Sequence, residues 1–256
     1  MADDRRRFLT RSAAVAAAAL LSGCSGLSEK KWVSDALSEV ENLTRRAQRL
    51  FAGRQALAPE FTKADIAPVF RANGTLDPAS DDYRAHAAKD FRDWRVEVGG
   101  LVERPLSLSM EALRAMPSRT QITRHDCVEG WSCIGEWKGT PLRLVLAEAR
   151  PRNDARYVAF FCADNMAEEG VPAQYYYESL DLVEATHPQT LLAYELNGQA
   201  LPIEHGAPVR LRAERQLGYK MAKYIQRIEI VADLGSFGGG RGGYWEDQGY
   251  SWYAGI

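Results

Sequence analysis

The chain has 256 residues, 46% of them hydrophobic, and a formal net charge of −2 from 32 Lys and Arg against 34 Asp and Glu. That length and apolar content suffice for one sizeable domain with its own core. The charge balance excludes an electrostatic case for nucleic acid, whose binding rests on neutralising phosphates with basic side chains.

The amino terminus reads MADDRRRFLTRSAAVAAAALLSGC. Its apolar run, Ala13 to Leu21, is too short to cross a bilayer core of about 30 Å at about 1.5 Å per residue. A charged n-region, a short h-region and a small-residue site predict a secretory signal over residues 1–23. Paired arginines followed by x-Phe8-Leu9 resemble the twin-arginine signal, which implies export of a folded protein to the periplasm, often with its cofactor. Leu21-Ser22-Gly23-Cys24 resembles a bacterial lipobox, which would make Cys24 a lipid anchor and the first residue of the mature chain. Plain cleavage without lipidation and a frayed Ala-rich helix are the alternatives. Removing residues 1–23 takes away four Arg and two Asp and moves the formal charge from −2 to −4.

Ser34 to Phe51 carries Leu37, Val40, Leu43, Ala47 and Leu50 at helical spacing, with Ser34 as N-cap, so residues 24–66 read as a spacer containing an amphipathic helix. Residues 52–90 look irregular, punctuated by Pro59, Pro68, Asn73-Gly74 and Asp77-Pro78. Trp94 to Val98 alternates and ends in Gly99-Gly100, a strand and turn. Ser109 to Met116 is a short helix stopped by Pro117, and Thr120 to Cys127 is extended. Thr140-Pro141 starts a helix to Arg150, with Pro141 at the first helical position. Arg156 to Cys162 is an apolar run of strand length, and Ser179 to Ala185 reads as helix. Tyr194 to Leu201 centres on Asn197-Gly198, a strong hairpin signal. Val209 to Arg212 and Tyr224 to Val231 read as strands, and the Gly- and aromatic-rich tail fits no regular element. There is no internal repeat. Strands and helices mix without a βαβ period, which predicts an α+β fold.

The stretch HDCVEGWSCIGEW, His125 to Trp137, holds two of the four cysteines. Outside the cytoplasm a Cys127–Cys133 disulfide is one reading, although so short a loop gains less than the ~3 kcal/mol of a 15-residue one. A zinc site would need four ligands in paired units, whereas here there is one C-x5-C and a lone histidine. A thiol nucleophile with His125 as base, or plain core, completes the set, and spacing does not choose among them.

The surrounding residues carry more. Cys127-Val-Glu-Gly-Trp-Ser132 and Trp137-x-Gly139-x-Pro141-Leu142 resemble the cofactor loop of the sulfite oxidase family of molybdopterin enzymes. The resemblance is to its bacterial periplasmic branch, which includes protein-methionine-sulfoxide reductases. It continues through His187-Pro188-x-Thr190-Leu191-Leu192-Ala193-Tyr194 and Asn197-Gly198-x-x-Leu201-Pro202. It then takes in His205-Gly206-Ala207-Pro208-Val209-Arg210-Leu211 and Gly218-Tyr219-Lys220-x-x-Lys223, spanning residues 67–233. Several blocks in the family's order are more specific than any one of them. The resemblance implies a sulfite-oxidase-type molybdopterin-binding fold, with mixed β-sheets and short helices, over residues 67–256. It also implies one molybdenum held by one pterin dithiolene and a protein thiolate.

By that resemblance Cys127 is the metal ligand and catalytic cysteine, a soft anion suited to a metal cycling by two electrons. Arg210 and the Gly218-Tyr219-Lys220 turn match cofactor contacts, with Gly218 allowing close backbone approach and Lys220 giving charge to the pterin phosphate. The bland reading of Lys220 and Lys223 is a solvated face. His205 matches an Asn of the reductase branch that contacts the cofactor, other relatives carrying His. Cys162 matches a Thr near the metal. Arg71 and Asn73 match a loop that closes over the pterin. Cys133 reads as core or a spare thiol, His125 and His187 as packing residues, and His86 as exposed.

Sulfite-oxidising relatives follow the metal cysteine with arginines that attract a dianion. Here Val128-Glu129-Gly130-Trp131 follows, an acidic and aromatic wall that favours a neutral sulfoxide-type oxide, small or protein-bound. The alternative is that Glu129 points away and pairs Arg124. No C-x-x-C-H haem motif is present, so electrons come from a separate redox partner, a membrane haem protein or cytochrome. The expected function is two-electron oxygen-atom transfer in the reducing direction. Sulfite oxidation on the same scaffold and a lipid-anchored binding protein without metal are the competing readings.

Overall fold

A computed structural model describes residues 40, 43–50, 53, 55–78, 80–168 and 170–256. The signal and lipobox readings and the Ser34 cap lie outside these residues. The chain divides into two units, residues 1–51 and 52–256. In the first, residues 43–50 are helical as the spacing predicts, and Thr44 donates to the Val40 carbonyl at 2.9 Å.

The second unit is built on two sheets of five strands each among the described residues. One runs β2–β1–β10–β5–β6, formed by Leu106–Ser109, Arg95–Gly100, Ile225–Val231, Tyr157–Asn165 and Tyr175–Asp181. Only β1 and β10 pair parallel in it, Glu97 opposite Arg227. The other runs β3–β4–β7–β8, formed by Arg119–Asp126, Ser132–Pro141, Leu191–Leu196 and Gln199–Ala200, with β9 (Arg210–Arg212) added to β7. Mixed sheets with short helices confirm the α+β expectation.

Local chemistry accounts for several elements. Asn197 and Gly198 both take positive φ, 52° and 76°, the two-residue turn whose twist suits the β7–β8 hairpin. Helix α2 (Met110–Ala115; α1 is Asp81–Ala87) starts where the Ser109 side chain accepts from the Ala112 N–H. Thr140 then ties it to β4 by donating to the Leu113 carbonyl at 2.7 Å. Helix α3 (Leu142–Ala149) buries Leu142, Val145, Leu146 and Ala149, one face of a 3.6-residue period. Each of its larger apolar side chains stabilises the fold by about 1.5–3 kcal/mol. These residues join Trp94, Leu113, Phe160 and Ile228 in the main core, while a second cluster gathers Phe70, Cys133, Trp137, Ala193, Leu196 and Leu201.

Five expectations are corrected. Residues 52–90 are not wholly irregular: α1 is capped by Ser80 and opens with Asp81 and Asp82, which favour a helix N-terminus. Pro141 closes strand β4 and stands one place before α3 rather than inside it, because it is still paired to Leu191. Ser179 to Ala185 is not all helix. Strand β6 runs through Asp181, whose carboxylate caps the short helix α4 (Leu182–Ala185). The tail contains helix α5 (Tyr244–Asp247). The segment expected as spacer joins the second unit before residue 67, with Phe61 N–H donating to the Ile122 carbonyl and Ala58 N–H to Gln189 Oε1, both at 2.8 Å.

Candidate functional site

Strands β3 and β4 form a long hairpin, and Cys127 stands where β3 ends. Its N–H donates to the Trp131 carbonyl at 2.9 Å, and its own carbonyl accepts from Gly130 N–H at 3.0 Å. The thiol is free and buried; Cys133 is also free and lies in the second core cluster, its Sγ 3.6 Å from the Val69 carbonyl. The disulfide reading fails. The zinc reading fails too, since no group of three or more His, Cys, Asp or Glu among the described residues could hold a metal ion. Burial pushes the Cys127 thiol up, opposed by the Glu129 backbone N–H and by Arg71.

Cys127 faces a cavity of about 160 Å³. The loop Asn73-Gly74-Thr75, Asp164 and Met166 at the end of β5, Tyr176, the turn Gly218-Tyr219, Met221 and Lys223 line it. Val128 and Glu129 close it near the thiol, and Trp245 and Tyr250 bring the tail to it. Those two rings stack at 5.4 Å, and Tyr250 meets Tyr219 edge-on at 5.2 Å. Glu129 therefore belongs to the wall, where its Oε2 accepts from Trp131 Nε1 at 2.9 Å, and Arg124 pairs with Asp126 instead.

Behind the wall lies a set of buried donors. Arg212 pairs with Glu214 at 2.6 Å and donates to His125 Nδ1 at 2.9 Å. A guanidinium has no acceptor, so Nδ1 accepts and neutral His125 carries its proton on Nε2. Burial, then Arg212 and Arg210, hold this ring neutral by pushing its pKa well below the usual value. Its Nε2 has no partner, and the same holds for Arg210 Nε, His205 Nδ1 and Trp137 Nε1. Arg210 donates to the carbonyls of His205 at 2.9 Å and Met221 at 3.2 Å, and burial lowers it to about 9. Burial, then Arg210, lowers His205 to about 4. The rings of Trp137, His205 and His125 pack around Phe70 at 5.1, 5.5 and 6.0 Å.

One buried donor left without an acceptor costs about 1–3 kcal/mol, so the N–H groups of His125, Arg210 and Trp137 in one neighbourhood, with a His205 ring nitrogen beside them, suit an acceptor-rich anionic group. A phosphorylated pterin is such a group, and a thiolate beside a cavity is a fitting metal ligand. Gly218 adds a cradle, since a Cβ there would lie 2.4 Å from His125 Nε2. The donor set, the thiol and the glycine fit the cofactor that the motifs imply.

The structure distributes the expected contacts unequally. Cys127, Asn73, Gly218 and Tyr219 line the cavity, and Asn73 Oδ1 is buried without a partner. His205 and Arg210 belong to the donor set. Arg71 is exposed, with its guanidinium 4.9 Å over the Trp131 ring. Cys162 is buried in the main core and is not part of the cavity wall. Lys220 is a correction: its ammonium is 1% exposed and held between Glu178 and Glu246, so its charge is already matched and faces carboxylates. Lys223 takes the cavity position instead, buried rather than solvated, donating to the carbonyls of Asn73 at 2.8 Å, Glu204 at 3.0 Å and Thr75. Burial, then Arg210, lowers it to about 7. His187 is a packing residue, its Nε2 3.1 Å from the Ala56 carbonyl, whereas His86 is half-buried against Trp94.

Sequence reasoning missed the donor roles of His125 and Trp137 and the cavity positions of Asp164 and Tyr176. Lys223 stood in a recognised block, but two lysines three residues apart cannot be ranked without their surroundings.

Residues 84–235 match the family described as the oxidoreductase molybdopterin binding domain. A chain of Azospira oryzae, assigned as a protein-methionine-sulfoxide reductase subunit YedZ1, is 38% identical over 98% of this chain and 87% of its own length. The protein-methionine-sulfoxide reductase catalytic subunit MsrP of Xanthomonas axonopodis pv. citri is 41% identical over 60% of this chain, and this chain spans only 50% of it. The crystal structure of the sulfane dehydrogenase SoxCD from Paracoccus pantotrophus shares the fold, with a TM-score of 0.52 at 23% identity over 70% of this chain and 46% of that one. The chain therefore belongs to the oxidoreductases with a molybdopterin-binding domain, the sulfite oxidase family its motifs resemble, and its cofactor is molybdenum carried by molybdopterin.

Proposed function

We propose that this protein reduces a sulfoxide by two electrons outside the cytoplasm, with methionine sulfoxide, free or in a protein, as the substrate class. The carrying observation is the wall beside Cys127. It combines the Glu129 carboxylate, the buried Asp164 carboxyl that burial favours as the neutral acid, and Val128, Met166, Met221, Trp245 and Tyr250. Lys223 is the one Lys or Arg among the cavity-lining residues, and its ammonium is spent on three backbone carbonyls. Such a wall repels a sulfite dianion and accepts a neutral, polarisable thioether oxide. The names of the two sulfoxide reductase relatives support the same direction.

When bound, the cofactor supplies a metal that cycles by two electrons and exchanges an oxygen atom. Cys127 would hold the metal, and Arg210, His205, His125 and Trp137 would hold the anionic and acceptor-rich parts of the pterin, with Lys223 only adding positive charge nearby. The aromatic pair orients the apolar arms of the substrate and excludes water. The twin-arginine-like terminus supports export as a folded, loaded protein to the periplasm, with Cys24 as a lipid anchor. A separate haem-bearing redox protein supplies the electrons.

Export-purified protein with its molybdenum content measured should reduce methionine sulfoxide under a reduced viologen dye and oxidise sulfite at least about tenfold more slowly. Faster sulfite oxidation than sulfoxide reduction would overturn this reading.

A further inference from the structure

Reduction of a sulfoxide consumes two protons and two electrons and yields one thioether and one water. The sulfur–oxygen bond breaks, sulfur gains the electron pair, and the oxygen leaves as water. The electrons come from a reduced haem protein acting twice, but the protons must reach the oxygen inside the cavity.

Most titratable groups on the wall are committed elsewhere. Cys127 is the metal's ligand. Glu129 is exposed and accepts from Trp131 Nε1. The Tyr176 hydroxyl donates to the Tyr219 carbonyl, and the Tyr219 hydroxyl donates to the Ser251 carbonyl at 2.7 Å. Lys223 gives its protons to three carbonyls. Tyr250 is 40% exposed.

Asp164 differs from all of these. It is 3% exposed, lines the same cavity as Cys127, and has one carboxyl oxygen, Oδ1, without a partner. An unpaired buried carboxylate oxygen is costly, and a proton removes the cost. We propose that Asp164 is the proton donor of oxygen transfer, its carboxylic acid protonating the substrate oxygen as the sulfur–oxygen bond breaks. It is then reprotonated from water and delivers the second proton. This rests on the reductase reading above.

Burial pushes this carboxyl up to about 6, against the opposing pull of Lys223 and the Thr75 hydroxyl. The other titratable groups that face it are Tyr83, Tyr176, Tyr224 and Cys162, each pushed further into its neutral form by burial. Lys223 is thus the cation that faces it. The acid is the working form, so turnover falls as pH rises through about 6.

The test compares molybdenum-loaded wild type, Asp164→Asn and Asp164→Glu, with methionine sulfoxide and a reduced viologen dye. Asp164→Asn should keep its molybdenum content and its KM, lose about 10²–10⁴-fold in kcat, and lose the limb near pH 6. Asp164→Glu should recover part of the rate with the limb displaced. Infrared difference spectra of the wild type should show a protonated-carboxyl band that disappears as pH rises through about 6 and is absent from Asp164→Asn. An Asp164→Asn enzyme with wild-type kcat, a limb that survives the substitution, or a variant that loses molybdenum would overturn the proposal. A loaded wild type that reduces no sulfoxide overturns the reductase reading and this proposal together, whereas a wild type that does so beside an unaffected Asp164→Asn overturns only this one.

Discussion

A β-carbon at Gly218 would lie 2.4 Å from Nε2 of His125. That nitrogen carries the ring's proton and has no partner, because Arg212 occupies the opposite nitrogen. Gly218→Ala should therefore push the ring off its Arg212 anchor and spoil the cradle without emptying the core. The expected result is a loss of about 10–100-fold in metal affinity. Molybdenum per chain, measured beside a near-normal circular dichroism spectrum, checks this.

Lys220 joins the tail to β6 by a buried cation between two carboxylates, Glu178 and Glu246. Burial and Glu246 push the Glu178 carboxyl well above its usual range, and the ammonium counters both. Removing the cation alone leaves two like charges buried together. Lys220→Met should cost about 3–5 kcal/mol, read as a lower Tm and faster tryptic cleavage at Arg241. Adding Glu178→Gln and Glu246→Gln to it should restore most of the loss.

Lys223 gives the cofactor-free protein a distinct pH dependence. Its folded value of about 7 lies below the ordinary 10.5, so between those values the unfolded chain binds more protons. Stability must then fall as pH is lowered from 10.5 toward 7 and level off below that, by linkage. Thermal melts across this window should show the decline, and Lys223→Met should flatten it. Anionic cofactor beside the ammonium should do the same in the loaded protein.

Trp245 stacks on Tyr250 at the cavity wall. Aromatic contacts of this kind contribute about 0.5–1.5 kcal/mol beyond area burial. Trp245→Ala should raise KM for a methionine sulfoxide peptide by about 2–10-fold, since about 1.4 kcal/mol is tenfold. Steady-state kinetics with molybdenum content held equal will show whether the effect lies in KM.

Much of the fold was legible because its causes are local. The Ser109 cap, the Asn197-Gly198 turn and the alternation of Tyr224 to Val231 each act within a few residues. Strand β4 was hidden inside a stretch read as a motif, since Gly135 and Gly139 interrupt its alternation. The end of strand β6 was read as helix, because Asp181 both ends the strand and caps the turn that follows.

The sequence alone determined the family, because the motif blocks keep their residues and order over most of the chain, and it singled out Cys127 as the expected metal ligand. Only the tertiary structure decided which lysine serves which site. Lys220 meets carboxylates 42 and 26 positions away, while Lys223 meets backbone carbonyls 150 and 148 positions away. It likewise placed Cys162 in the core and an unpartnered oxygen of Asp164 at the cavity. The physical reason is that a buried charge is defined by what surrounds it, and those neighbours come from elements that sequence proximity does not join.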